Sequence, residues 1–360
     1  MGNIIDYLKD KIYYIMGATV LLIVILIVIS SCGSSGSGGS YSSIESNMVK
    51  AAEKYYSNRE NKLPDGEETV KVTIGTLVEL ELLKEVKDPK NSSKLCSGYV
   101  LTKKVEDEYV HTPFLTCKGN YEPEYLSDKV KATSKDEYGN GIYQIDGEYV
   151  YRGDDVKNYV SFADKLWRIV KVDKDGDLKL VMATKTEEFY IFDDSYNSEV
   201  EKNYGIVTDY LRTDIRKTLV NFYDTQINNE SKAKIVSKDL CVGSYKVTDE
   251  FNKEQECSKI MENESIGLLV ASDYQMASLS SECKTLSNKE CGNYNYMYNF
   301  VNSWLLNSET DSSYRNFYLK NGISSTYAKY KKPVNPVVFV TKDAITTEGV
   351  GTEQEPYIIK

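Results

Sequence analysis

Histidine is almost absent from this sequence, with His111 the one example in 360 residues. With no second histidine and no Cys-x-x-Cys pair, the side chains that most often hold zinc do not occur as a set. His111 lies beside Pro113 in a strand-like run, and no Gly-x-Ser-x-Gly elbow accompanies it, so the usual nucleophile–base arrangement is missing. A phosphate cradle is missing too: Gly349-x-Gly351-Thr352 has neither the lysine nor the following helix that such a loop needs. Positive charge is in deficit, with 44 Lys and Arg against 54 Asp and Glu, a net charge of −10. That balance excludes nucleic acid as a partner, because phosphate binding needs clustered cations. No catalytic residue, no metal and no cofactor is therefore expected.

What the chain does have begins with Ile12 to Ile29, an uncharged and strongly apolar run. Its roughly 18 residues would reach ~27 Å as a helix, close to a bilayer core. Residues 12–31 are expected to form a transmembrane helix or signal anchor. Lys9 and Lys11 precede it and no Lys or Arg occurs from Cys32 to Met48, so residues 1–11 face the cytoplasm and the bulk of the chain the extracellular side. Cleavage is the alternative: Ile29-Ser30-Ser31-Cys32 resembles a lipobox, which would lipidate Cys32. Residues 32–43 are a Gly/Ser linker.

Seven cysteines occur, and setting aside Cys32 leaves Cys96, Cys117, Cys241, Cys257, Cys283 and Cys291. An even set outside the cell favours disulfides. Of the 15 connectivities six cysteines allow, nearest-neighbour pairing closes each bond as a local loop: 96–117, 241–257 and 283–291. The 30 tyrosines against nine phenylalanines suit half-exposed sheet faces or contact surfaces.

Downstream of the linker, Ser43 to Asn61 places Ile44, Met48, Ala51, Ala52 and Tyr55 on one helical face. Val70 to Ile74 reads as a strand, and Thr76 caps a helix over Leu77 to Val86. Ser97 to Val105 and Glu108 to Thr116 read as paired strands. A helix followed by Leu-Pro, a Thr-Leu-x-x-Leu helix, Lys87-Asp-Pro-Lys-Asn91 and a Gly-Tyr-Val strand resembles the globular head of type IV pilins and pseudopilins. That resemblance covers 44–121 and implies a strand meander packed on a helix, serving assembly. The leader of that family is missing, and the Gly/Ser linker interrupts the helix through which pilins polymerise.

Residues 122–140 read as a connector to a second unit over 141–360. There, Tyr143 to Val150 and Tyr159 to Phe162 are expected strands, and Leu166 to Val172 with Leu178 to Met182 form a hairpin at Asp175-Gly176. Thr208 caps a helix striped by Leu211, Ile215, Leu219 and Phe222. Strands follow at 234–236 and 266–271, with Ser272 capping a short helix. Tyr294 to Leu306 reads as helical near its end, and 337–340 and 357–359 close the unit. The order Trp-Arg-Ile-Val, Asp-Gly-Asp-Leu-Lys-Leu-Val, Gly-Leu-Leu-Val-Ala-Ser-Asp-Tyr and Lys-Pro-Val-Asn-Pro-Val-Val-Phe is similar to uncharacterised surface domains of Gram-positive bacteria, which look like C-type-lectin-like folds. No functional residue transfers with it.

Asp173, Asp175 and Asp177 alternate as in a calcium loop, but the glycine falls at the wrong position and Thr184 stands where a glutamate is needed, so the segment reads as a solvated turn. Asp154-Asp155 and Asp193-Asp194 offer carboxylates for glycoside cleavage, and chance adjacency among 54 acids explains them better. Tyr294, Tyr296, Tyr298, Trp304, Tyr314, Phe317 and Tyr318 form the candidate binding cluster. The expected protein is thus α+β: a transmembrane helix, a small helix-plus-meander domain and a larger, lectin-like α+β domain. It would be membrane-anchored and extracellular, a non-catalytic adhesion module for a glycan or protein ligand. A structural subunit of a pilus-like or secretion assembly is the alternative, and a glycan-acting envelope enzyme a third.

Overall fold

The structure is a computed structural model that describes residues 40–66, 68–195, 210–246, 248–300, 302–320 and 322–360. The expected segments 1–11 and 12–31 and Cys32 lie outside the described residues, as does most of the linker. Among the described residues no helix is long and apolar enough to cross a membrane. The expected fold is corrected accordingly, to an α+β chain dominated by sheets, whose described residues form seven α-helices, none of them membrane-spanning.

The first unit opens with α1 (Tyr41–Ser57), capped by Ser40, whose hydroxyl accepts from Ser43 N. Met48, Ala51, Ala52, Tyr55 and Tyr56 form its buried stripe. Against it lies a sheet ordered β1 (Thr69–Thr73), β4 (Ser97–Val105), β5 (Glu108–Thr116), all antiparallel. The connection passes through α2 (Ile74–Glu79) and the small hairpin β2 (Lys87–Asp88)–β3 (Asn91–Leu95). Thr73 rather than Thr76 caps α2, because the Thr73 hydroxyl accepts from Thr76 N at 3.1 Å. The helix stops at Leu80, and Glu81 follows in the left-handed region with φ 55°, so the expected extension to Val86 does not form. Cys96–Cys117 joins the ends of the β4–β5 pair.

The expected connector is partly ordered structure, β6 (Glu124–Tyr125) and α3 (Leu126–Lys131), with Leu126 and Val130 buried in the second core. The single strand expected over 143–150 is instead a hairpin, β7 (Gly141–Ile145) and β8 (Glu148–Arg152). Asp146 and Gly147, at φ 49° and 84°, make the tight turn that an Asp-Gly pair favours.

A seven-stranded sheet runs β18 (Val337–Val340), β11 (Leu178–Met182), β10 (Lys165–Val172), β8, β7, with β9 (Tyr159–Phe162) and β20 (Tyr357–Ile358) branching from β10. β10 is shared: its first half pairs β9 and its end pairs β8. β11 is buried along its whole length, Lys179 included. Trp167 is enclosed and donates its indole N–H to Phe162 O at 2.8 Å.

Thr208 lies outside the described residues; α4 (Asp214–Gln226) is capped by Thr213, and Leu211 stands exposed before it. α5 (Asn229–Lys232) follows. Residues 234–236 and 266–271 make only single bridges, Ile235 to Val340 and Gly267 to Val337, so neither is a strand. β12 (Lys238–Cys241) pairs β14 (Ile260–Glu264), with α6 (Lys253–Glu256) and the Cys241–Cys257 bond between them. α7 (Ala271–Ala277) lies beyond. The tail of the expected 294–306 helix is a strand: β13 (Ser244–Tyr245), β15 (Trp304–Glu309), β16 (Arg315–Leu319) and β17 (Ile323–Tyr327) form a second sheet. Cys283–Cys291 closes the third local loop, as the nearest-neighbour pairing anticipates. Three disulfides point to an extracellular or secreted protein.

Two apolar cores result, one built from residues between 48 and 121 and one between 126 and 357. Polar contacts stitch them. β19 (Ile345–Thr346) pairs β6. Lys232 Nζ lies 2.9 Å from Glu106, and Asn229 donates to Glu108 at 2.7 Å. Most buried is the clasp on Glu45 of α1, whose carboxylate accepts from Tyr121 Oη at 2.8 Å and from Lys360 Nζ at 3.0 Å. Burial opposes the Lys360 charge, but Tyr121 and Glu45 outweigh it and hold its pKa above the ordinary lysine value.

Glu45→Gln should lower stability by about 1–2 kcal/mol in denaturant titration, since a charge-assisted hydrogen bond becomes a neutral one. Hydrogen exchange should rise at the 345–360 segment.

His111 gives the first unit a defined acid sensitivity. Its Nδ1 is 2.8 Å from Thr102 Oγ1 and its ring stacks on Tyr56. Burial lowers its pKa, against the opposing charge of Glu53. Between the lowered folded value and the ordinary 6.5 the unfolded chain binds more protons, so stability is full above 6.5 and is lost as pH falls through that window. In thermal melts from pH 7.5 to 4.5, wild type should lose more stability than His111→Gln as pH falls below 6.5.

Candidate binding surface

The seven expected aromatics do not form one cluster. Trp304 opens β15, where it is 1 % exposed and donates its indole N–H to Tyr190 O at 2.9 Å. Phe317 on β16 and Tyr296 before β15 are equally enclosed, at 0 % and 2 %. The reason is strand alternation: Phe317, Leu319 and Ile323 share the inward face of the β16–β17 hairpin. Tyr296 packs under the Arg168 guanidinium, 4.5 Å from its ring centre. These three serve the core. Tyr294 and Tyr298 are exposed, and no ring contact among the described residues links them to another aromatic.

Tyr314 and Tyr318 fall into groups completed by residues that the sequence pattern did not single out. Tyr314, Tyr327 and Tyr330 form a ladder with ring centres 5.8 and 5.2 Å apart. Arg315 lies over the Tyr327 ring at 5.3 Å and is fixed there by two hydrogen bonds to Ser325, at 3.0 and 2.8 Å. On the opposite face of β16, Lys332 Nζ sits 3.5 Å above the Tyr318 ring and 5.7 Å from Trp304. The strap Tyr327-Ala-Lys-Tyr-Lys-Lys332 joins the two groups. Burial lowers the Lys332 pKa, and the like charge of Lys320 lowers it further. Lys320 and Lys331 are exposed and have no ion-pair partner among the described residues. This is a cationic, tyrosine-lined edge on a chain of net charge −10. Lysine over tyrosine keeps the ring face polarised and the side chain ordered.

The other concentration of charge answers itself. A cleft of about 210 Å³ between β8, β10, β12 and α6 is lined by Lys171, Lys179, Lys238, Glu148, Asp173 and Glu256. Lys171 is chelated by both oxygens of Glu148, at 3.0 and 2.9 Å. Burial opposes its charge, yet Asp273 and Glu148 keep its pKa above the ordinary value. The alternating aspartates of the β10–β11 turn bring ligand atoms within 4.8 Å of one another. Lys238 Nζ occupies their centre, 3.0, 2.7 and 2.7 Å from Asp173, Asp175 and Asp177. An ammonium group fills the place a metal would take. Burial works against it, but the three carboxylates hold the Lys238 pKa well above the ordinary lysine value. Asp193 accepts from Ser195 N and Oγ, and burial raises its pKa, with the nearby charges of Asp214 and Asp194 raising it further.

Neither a family model, nor a curated protein, nor a solved structure matches the chain.

Removing the ammonium by Lys238→Met should leave three carboxylates repelling one another and cost about 3 kcal/mol in chemical denaturation. Millimolar calcium should recover part of that loss in the variant and leave wild type unchanged.

Proposed function

We propose that the chain is an extracellular, non-catalytic binding module that takes an acidic glycan on the edge formed by Tyr314, Tyr318, Tyr327, Tyr330, Lys331 and Lys332. The observation that carries this reading is the charge of Lys320 and Lys331, which have no ion-pair partner among the described residues, beside stacked tyrosines in an otherwise acidic protein. Tyrosine rings offer flat faces to sugar rings and hydroxyls to their rims. Unpaired lysines favour a polyanion, and the surrounding negative charge repels partners that do not match. The three disulfides fit a protein working in an oxidising space. Attachment to the membrane through the apolar N-terminal sequence and lipid at Cys32 belong to the same proposal, and rest on sequence alone.

The test is an array of neutral and uronic-acid- or sulfate-bearing glycans probed with the full chain. Acidic glycans should be retained and released by salt. Tyr330→Ala and Lys331→Ala should each weaken binding about tenfold, the loss of roughly 1.4 kcal/mol, without changing circular dichroism. Equal retention of neutral and acidic glycans, or binding only to acidic proteins, would overturn the reading.

A further inference from the structure

Lysine at the centre of a fully buried strand needs an account. Lys179 lies midway along β11, between β10 and β18, with its side chain 6 % exposed. Its Nζ is 2.6 Å from Oδ2 of Asp273, on the first turn of α7, whose side chain is 0 % exposed. Asp273 Oδ2 also accepts from Val270 N at 2.9 Å, whereas Oδ1 has no hydrogen-bond partner at all. A fully buried carboxylate oxygen without a donor carries an uncompensated desolvation cost. Neighbouring cations do not answer it, because Lys171 is held by Glu148 and Lys238 by the three aspartates. Leu240, Leu268, Val270, Met276 and Phe339 make the apolar walls nearby, with the Phe339 ring 5.6 Å from Nζ.

We propose that Lys179 and Asp273 condense into an intramolecular amide joining β11 to α7. Proton passage along the 2.6 Å contact gives a neutral amine and a neutral acid, the forms that an apolar surrounding favours over separated charges. The Nζ lone pair then attacks Cγ. An Nζ–Cγ bond forms, the Cγ–Oδ2 bond breaks, and Oδ2 leaves with the acid proton and one amine hydrogen as water. Oδ1 remains as the amide oxygen, which lacks a full charge and tolerates its unpartnered position at lower cost. Electrons and atoms balance with no oxidant or co-reactant.

Glu256 is the positioning residue. Its carboxyl accepts from Ser272 N at 3.0 Å and from the Ser272 hydroxyl at 2.6 Å, immediately before Asp273 in the chain. Burial raises its pKa against those two bonds, and the Asp273 charge raises it further. Its two oxygens each accept from Ser272, which fixes the start of α7 and with it the Asp273 carboxyl against Lys179. The adjacent cleft gives the released water a way out. The result would be a covalent tie between β11 of the seven-stranded sheet and α7, independent of the redox state of the cysteines.

Tryptic digestion of the reduced, denatured full chain followed by mass spectrometry tests this. The amide predicts no cleavage after Lys179 and a branched peptide joining the segment that contains Lys179 to 260–284, lighter by one water than the sum of its parts. Lys179→Arg should give only linear peptides, and Glu256→Gln should lower the branched fraction in freshly made protein. Asp273→Asn should also give the branch, formed with loss of ammonia instead of water. The wild-type digest decides the matter even where a variant fails to fold: cleavage after Lys179 with an unmodified 260–284 peptide would overturn the proposal.

Discussion

Placing charge inside a sheet-dominated core is the constraint around which the second unit is arranged. β11 lies between β18 and β10 in the seven-stranded sheet with no exposed residue, yet it carries Lys179. A buried ammonium is tolerated only with a carboxylate in contact, and Asp273 can reach it only because α7 packs against this face. Around that pair lie Lys171–Glu148, Lys238 with its three aspartates, and Glu256 with Ser272. Each brings a different segment to the same place, so the charges register β8, β10, β12, α6 and α7 against one another. Apolar packing has no comparable directionality, since a leucine can slide where an ion pair cannot.

The tyrosines divide by the same logic of polar satisfaction. Enclosed rings differ in how they are met: Arg168 lies over the face of Tyr296, whose hydroxyl is unpartnered, whereas Asn252 O accepts from the Tyr245 hydroxyl. Where it is half exposed, as along the strap 327–332, lysine and arginine lie on its face. The residue chosen so often in this chain is therefore serving two environments. The strap is the place where the second environment faces outward, with Lys331 exposed and without an ion-pair partner among the described residues.

Several features were legible in the residues themselves. The strands 97–105 and 108–116 were readable because alternation and a two-residue turn are local. Cysteine pairing was readable because each bond closes a short loop, 21, 16 and 8 residues apart. The helix over 214–226 was readable from its apolar stripe, while its start was misplaced, because Leu211 was counted in the stripe and the cap is Thr213, two residues beyond it. The Asp146-Gly147 turn was missed although its signal stood in the sequence. The strand expected over 266–271 failed for another reason, as its apolar run is buried by packing and shares only one bridge with β18.

The sequence by itself determined the acidic balance, the cysteine pairing and the α+β character, because each of these is a count or a local pattern. Tertiary structure alone decided which aromatics are surface and which are core, since Phe317 and Tyr318 are neighbours in sequence and are separated only by the pleat. It alone decided that Lys238 fills the aspartate turn and that Lys179 meets Asp273, 94 residues away. Pairings at that separation depend on how sheet and helix pack, a choice no local pattern of charge encodes.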